Sequence, residues 1–363
     1  MDGMPGLSQA SLACGESAIV YHFPLREGFS RIGQHLRQRT RARATGFMIT
    51  HTATPALSNG ERSAKTGAEA LRGTVWRDYC VLAKPRITLM ILLTVGVAMV
   101  VAYRLLNVSI APLVWFSTLI GTAMVAASAS VLNQWYERDR DSVMPRTQRR
   151  PLPSGRLSTF EAAVFGWMLL VVGILMLGFG ANWIAAAISG TTWFIYCWIY
   201  TPMKAMSWWN TAVGTLPGAL PVMIGWTAAG GSLLDWTGWC LTLIVILWQF
   251  PHFMAIAWLY RDQYTRAGFR MLTREEPTGK AAAWHAILPA IALIPVSMAV
   301  MHPSSMWTWI FAILGAAVAT PQIRYSLRFL LKRDDINARA LLRASLVYLP
   351  AILLLAVTRW ILL

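Results

Sequence analysis

Asn133, Glu137 and Asp141 recur every four residues, a spacing that on a helix lines one amide and two carboxylates along a single face. An all-oxygen set of this kind suits Mg2+ arriving on a substrate's phosphates, because that ion keeps most of its water and needs only one or two protein carboxylates. Arg146 and Arg150 follow, again four apart, and a guanidinium group can take two phosphate oxygens at once. The run from Asn133 to Arg150 therefore outlines a diphosphate site. Asp139 falls off the shared face and is expected in solvent.

These polar groups follow directly on an apolar stretch long enough to cross a bilayer, where carboxylates are expensive to leave idle. Of the 363 residues, 56% are hydrophobic and 13% charged, and the mean hydropathy is +0.48. That balance excludes an ordinary soluble domain and points to an all-α, polytopic membrane protein. Nine apolar stretches follow residue 85, over 87–106, 112–135, 159–179, 181–200, 210–228, 236–260, 282–301, 306–322 and 341–362. Most are near the ~20 residues a helix needs to span hydrocarbon. A bundle of nine transmembrane helices is expected.

The cations in the loops, which contribute to the net charge of +16, lie mostly on one side of that bundle. If the chain enters from the cytoplasm, the loops over 136–158, 201–209, 261–280 and 324–343 hold eighteen Lys and Arg, while the opposite side holds Arg104 and Arg359. The bias places the N-terminus in the cytoplasm and every charged motif on the cytoplasmic face. It makes the charge excess a membrane-surface feature, and no nucleic-acid partner is expected.

Residues 1–78 read as a basic, disordered extension and 79–363 as the membrane domain. The extension has no signal-peptide core, and an arginine cluster runs from Arg31 to Arg43. An organelle transit peptide and a true start at Met48 both remain open. The acidic Asp2, Glu16 and Glu27 favour the second, and with it a bacterial inner membrane over a mitochondrial one. Cys14, Cys80, Cys197 and Cys240 form no C-x-x-C pair, so neither a zinc site nor a disulfide framework is indicated.

A second constellation closes the sixth stretch: Gln249-Phe-Pro-His252-Phe, then Tyr260-Arg-Asp262-Gln263-Tyr264, continuing to Gly268 and Met271-Leu272. Like the first, it ends an outside-to-inside helix, so the two half-sites meet the membrane at one surface. The fourth stretch ends there too, at Tyr200-Thr-Pro-Met-Lys204, and adds a cation. His285 and His302 sit near span ends and read as structural.

With these motifs and the Gly214-Thr-Leu-Pro-Gly218-Ala-Leu-Pro221 segment, the chain over roughly 78–363 resembles the haem farnesyltransferase (haem O synthase) branch of the UbiA-type intramembrane prenyltransferases. N-x-x-x-[DE]-x-x-x-D marks the superfamily. The R-T-x-x-R-P and Q-F-P-H-F tracts narrow it to that branch. The resemblance implies a central cavity in which Mg2+ and farnesyl diphosphate meet protohaem, haem B being a substrate. It implies metal and diphosphate contact at Asn133, Glu137 and Asp141, and charge neutralisation by Arg146, Arg150 and Lys204. Tyr200, His252 and Tyr264 would bind substrate, and Tyr136, Tyr260 and Tyr264 could shelter an allylic cation. A haem A synthase or a terminal oxidase is the implied downstream partner. The family has an Asp directly before the Tyr of the second motif, where this chain has Gln263 preceded by Asp262. Neighbouring helix positions differ by about 100 degrees, so one of the two faces the cation, and Asp262 is the first choice. The residues alone leave open a polyprenyltransferase acting on another aromatic or chlorin acceptor, and a transporter.

Overall fold

The computed structural model describes residues 75–302 and 304–362. The expected extension and the alternative start at Met48 lie outside the described residues, except that 75–78 begin a helix over 75–83. Every regular element among the described residues is helical.

Seven helices are long and apolar enough to cross a membrane: α1 (Pro85–Leu105), α2 (Pro112–Val143), α3 (Thr159–Gly180), α8 (Trp236–Leu259), α11 (Lys280–Ala299), α12 (Met306–Leu331) and α13 (Asp335–Leu362). Their starts are written in the sequence. Pro85 and Pro112 open α1 and α2, where a missing N–H costs nothing. Ser158 caps α3 in a reciprocal pair with Glu161, and Ser305 caps α12 in the same way with Thr308, so each satisfies two orphan donors.

The remaining apolar stretches of the sequence, 181–200 and 210–228, are helical but broken. The first runs as α4 (Trp183–Phe194), a π-helical turn (Ile195–Tyr200) and α5 (Thr201–Met206). The widened turn precedes Pro202, which has no N–H to offer the helix. The second divides into α6 (Asn210–Ala219) and α7 (Pro221–Ala228) at Leu220, between Pro217 and Pro221. Three short helices complete the order: α9 (Arg261–Arg266) and α10 (Leu272–Glu275) between α8 and α11, and the segment over 75–83.

Sequence boundaries were too short at three places. The second stretch continues as helix from 135 to Val143, the eighth continues to Leu331, and the ninth begins at Asp335. Hydropathy ends a span where charge begins, whereas the helix runs on into the interface. For α2 this carries Asn133, Glu137 and Asp141 on one unbroken helix.

Helices approach closely where side chains vanish. A Cβ on Gly173 of α3 would lie 2.8 Å from the Gly121 carbonyl oxygen of α2. A Cβ on Gly225 of α7 would strike the Val95 carbonyl of α1. Such small-residue contacts replace the hydrophobic driving force that lipid does not supply. At the end of the bundle poor in cations, Arg104 donates to the Trp360 and Ile361 carbonyls at 2.9 Å, and Arg359 donates to the Met301 carbonyl at 2.9 Å. Both arginines there are spent on helix-end carbonyls.

Candidate active site

The α2 face carries the site. Asn133, Glu137 and Asp141 are only 2, 5 and 2% exposed, which requires a partner for each. Asn133 donates its amide to Thr201 Oγ1 at 3.1 Å, and Thr201 donates onward to the Tyr196 carbonyl at 2.8 Å across the π turn. The turn thereby ties α4 and α5 to the carboxylate-bearing face of α2. Lys204 of α5 donates to Glu137 Oε1 at 2.9 Å with its ammonium 4.6 Å above the Tyr200 ring. Arg150 donates to Asp141 Oδ2 at 2.6 Å, and Thr147 holds the Asp141 carbonyl at 2.9 Å. Asp139, by contrast, has an 85% exposed side chain, as its place off the face requires.

The second motif closes over the first. Arg146, exposed and without a carboxylate partner among the described residues, lies 4.9 Å from the Tyr260 ring centre and 5.9 Å from that of Tyr264, and reaches the Tyr264 hydroxyl at 3.4 Å. Those rings thus carry a guanidinium, and Tyr136 is exposed. Met144, Ala267 and Phe269 bury together with Tyr264 and Met271 against them, so the loops after α2 and α9 form one lid. Arg270 N donates to the Lys204 carbonyl at 2.7 Å, and Asn210 Nδ2 donates to the Arg270 carbonyl at 2.9 Å, which pins that lid to the α5–α6 turn.

Two other expected site residues, Asp262 and His252, make no described contact with the α2 carboxylates. Asp262, the first choice for the second-motif ligand, is exposed, while Gln263 Oε1 is buried without a hydrogen-bond partner. Tyr260 interrupts the helix at ψ 17°, and the restart at Arg261 turns position 263 inward. His252 stacks on Trp248 at 5.0 Å and places Nδ1 2.9 Å from Ser345 Oγ of α13. Its described contacts therefore lie on the α8–α13 seam and not with the α2 carboxylates.

Sequence reasoning passed over Lys84. It caps α1 with a left-handed φ of 49°, and the charges acting on it are those of Arg150, Lys204, Glu137 and Asp141. Burial, reinforced by the two neighbouring cations, pushes its ammonium down to about 7. The sequence signal was modest: a lysine directly before a helix-opening proline. Its consequence is testable. Below about pH 7 Lys84 is already protonated, so a bound diphosphate takes up no proton there; above it, binding raises the Lys84 pKa and takes up a proton, so affinity falls as pH rises, by at most about tenfold per unit. Lys84→Arg, charged throughout, should flatten the slope when inorganic pyrophosphate binding is measured between about pH 6.5 and 9. Identical slopes would assign the proton to another group.

Among the described residues no three His, Cys, Asp or Glu side chains cluster as a metal set. The oxygens on the α2 face, from Asn133, Glu137 and Asp141, fit a hard cation that brings the rest of its ligands as water and phosphate. They do not fit zinc.

Residues 89–349 match the model of the UbiA prenyltransferase family. The chain is 43% identical over 284 residues to a Protoheme IX farnesyltransferase of Rhodopirellula baltica, covering 77% of this chain and 98% of that relative. It is 41% identical to the Protoheme IX farnesyltransferase of Solibacter usitatus, covering 76% and 96%. In fold it is similar to a UbiA homolog from Archaeoglobus fulgidus solved with DMAPP and Mg2+, with a TM-score of 0.60 at 14% identity, covering 79% of this chain and 100% of that one.

Proposed function

Because this chain belongs to the UbiA prenyltransferase family, we propose that it carries out the reaction for which its relatives are named, farnesylation of protohaem IX to haem O with farnesyl diphosphate as donor and Mg2+ as cofactor. It is a multi-pass protein of the bacterial inner membrane. The seven continuous spans together with the broken helices over 183–206 and 210–228 make nine passes, with the cation-rich loops and the start of α1 on the cytoplasmic side. The observation that carries the reading is the pair of buried carboxylates on α2, each already matched to a cation from another segment.

The chemistry follows from those pairs. Asn133, Glu137 and Asp141 would hold Mg2+, which would supply positive charge to the departing diphosphate. Lys204 and Arg150, now beside the carboxylates, turn to the diphosphate oxygens, and Arg146 waits unpaired on Tyr260 and Tyr264. The carbon–oxygen bond at farnesyl C1 breaks, and diphosphate leaves with the electron pair. Cations aimed at charge that develops only then lower the barrier. The terminal carbon of the haem 2-vinyl group bonds to the allylic cation. Water then adds to the new cation, which loses a proton and leaves a hydroxyethylfarnesyl side chain. The apolar walls of the bundle keep water out until that step. A terminal oxidase, or a haem A synthase ahead of it, receives the product.

Membranes containing the chain should convert protohaem and farnesyl diphosphate to a more apolar haem whose mass gain is one farnesyl group plus one hydroxyl group. An unchanged haem, with a chlorin or quinone precursor prenylated in its place, would move the reading to another acceptor class. Within the second motif the buried amide oxygen favours Gln263 as the inward group. Asp262→Asn is then expected to retain activity, and Gln263→Asp to lower the Mg2+ concentration needed for half-maximal rate. Inactivation by Asp262→Asn with no effect of Gln263→Asp would restore Asp262 as the ligand.

A further inference from the structure

Away from the carboxylates, a cavity of about 340 Å3 lies between α6, α8 and α11, within the ~300–1,000 Å3 typical of ligand pockets. Its walls include Trp208, Trp209, Phe250, Trp284, His285 and Leu288. Trp208 stacks on Trp209 at 4.5 Å and sets its edge toward the His285 ring at 6.2 Å. Trp209, Trp284 and Leu288 are exposed, so on a spanning bundle the cavity is open to the lipid side.

His285 is the one imidazole in this wall, and its tautomer is fixed. Nδ1 lies 2.8 Å from the Ala281 carbonyl oxygen, which can only accept, so the proton sits on Nδ1 and the Nε2 lone pair is free. No hydrogen bond occupies Nε2 among the described residues. A backbone carbonyl behind one ring nitrogen is the arrangement that orients histidines for metals. Two cations stand near the cytoplasmic rim. Lys280, exposed, is one helical turn before Trp284, and Arg270 reaches the Met206 carbonyl at 3.4 Å, two residues from Trp208. The Glu276 carboxylate is directed to the start of α11, where it accepts from Ala281 N at 2.9 Å and from Thr278 N at 3.0 Å.

An aromatic, mostly apolar recess with one free imidazole nitrogen and cations nearby fits an apolar, metal-centred ligand with carboxylate tails. We propose that this cavity is a second, non-catalytic site for an iron tetrapyrrole, with His285 Nε2 as axial ligand and Lys280 and Arg270 meeting the propionates. The proposal rests on the reading that such a haem is the chain's acceptor. The two sites share a wall, since the segment from Lys204 to Asn210 faces the carboxylates with its first residue and the cavity with Trp208 and Trp209. A haem held there waits beside the active site on the bilayer side.

The full chain purified in detergent is titrated with ferric protohaem and, separately, with metal-free protoporphyrin, and farnesyl transfer is measured on the same samples. Wild type should bind two haem equivalents. His285→Ala should bind one, lose the imidazole-ligated component of the absorption spectrum, and keep its rate at saturating haem with a raised haem KM. Lys280→Glu, at an exposed position that the fold does not need, should weaken the second equivalent several-fold without changing that spectrum. Two equivalents with an unchanged spectrum in His285→Ala, a single equivalent in wild type, or equally tight binding of metal-free protoporphyrin at the second site would each overturn the proposal, the last by making the cavity a general apolar or lipid recess. Absence of farnesyl transfer in wild type is the separate failure of the functional reading.

Discussion

Asp141→Asn and Glu137→Gln each lower farnesyl transfer by about 10²–10³-fold, the scale on which single electrostatic contacts to a transition state act, while the protein still inserts. Volume and most hydrogen-bonding capacity survive these changes, and only the negative charge goes. Insertion depends on the apolar spans, which neither change touches. The loss should appear in the maximal rate and in a raised Mg2+ requirement, because the weakened contact is to the cation. Rates and Mg2+ titrations measured on membranes matched for protein content decide the matter. A wild-type rate in either variant would remove the α2 face from the metal site.

Arg150→Ala should be the next most damaging change, and for two reasons that separate experimentally. Arg150 is the 2.6 Å partner of Asp141, and removing one member of a buried pair leaves an uncompensated charge, which costs about 3–5 kcal/mol where burial is complete. The Arg150 side chain is 23% exposed, so screening brings the stability loss below that range. The second loss is a cation for the departing diphosphate, again about 10²-fold or more in rate. Arg150→Lys restores the charge but not the planar fork. It should recover thermal stability in detergent and little of the rate. Full activity with lysine would make Arg150 a simple counterion.

The first half of the candidate site, as a shared helix face, could be read from the chain because its information is local. A four-residue period on one helix fixes which groups share a face, and the added length of α2 preserved that period from Asn133 to Asp141. The second half could not, because its register depends on how Tyr260 ends α8 and how the chain restarts at Arg261. A change of one backbone angle there outweighs any pattern in the residues. Lys84 was hidden for a related reason: its left-handed backbone aims the side chain, and nothing in Lys-Pro-Arg announces that conformation. The breaks near Pro202 and at Leu220 were also invisible to hydropathy, which measures apolar content and is blind to backbone continuity. The aromatic cavity draws on residues from 208 to 289, and no window along the sequence joins them.

The two ion pairs in the site also set how its ligands bind relative to each other. Lys204 neutralises Glu137 and Arg150 neutralises Asp141. A cation arriving alone must displace an ammonium or guanidinium that then has no anion. A diphosphate arriving alone must draw those cations away from buried carboxylates. Either ligand by itself disturbs a balanced arrangement, whereas the two together exchange partners and leave every charge matched. Metal and diphosphate are thus expected to bind with positive cooperativity, each raising the other's affinity by the same factor. Free Mg2+ or a phosphate alone should bind more weakly than the metal–diphosphate complex.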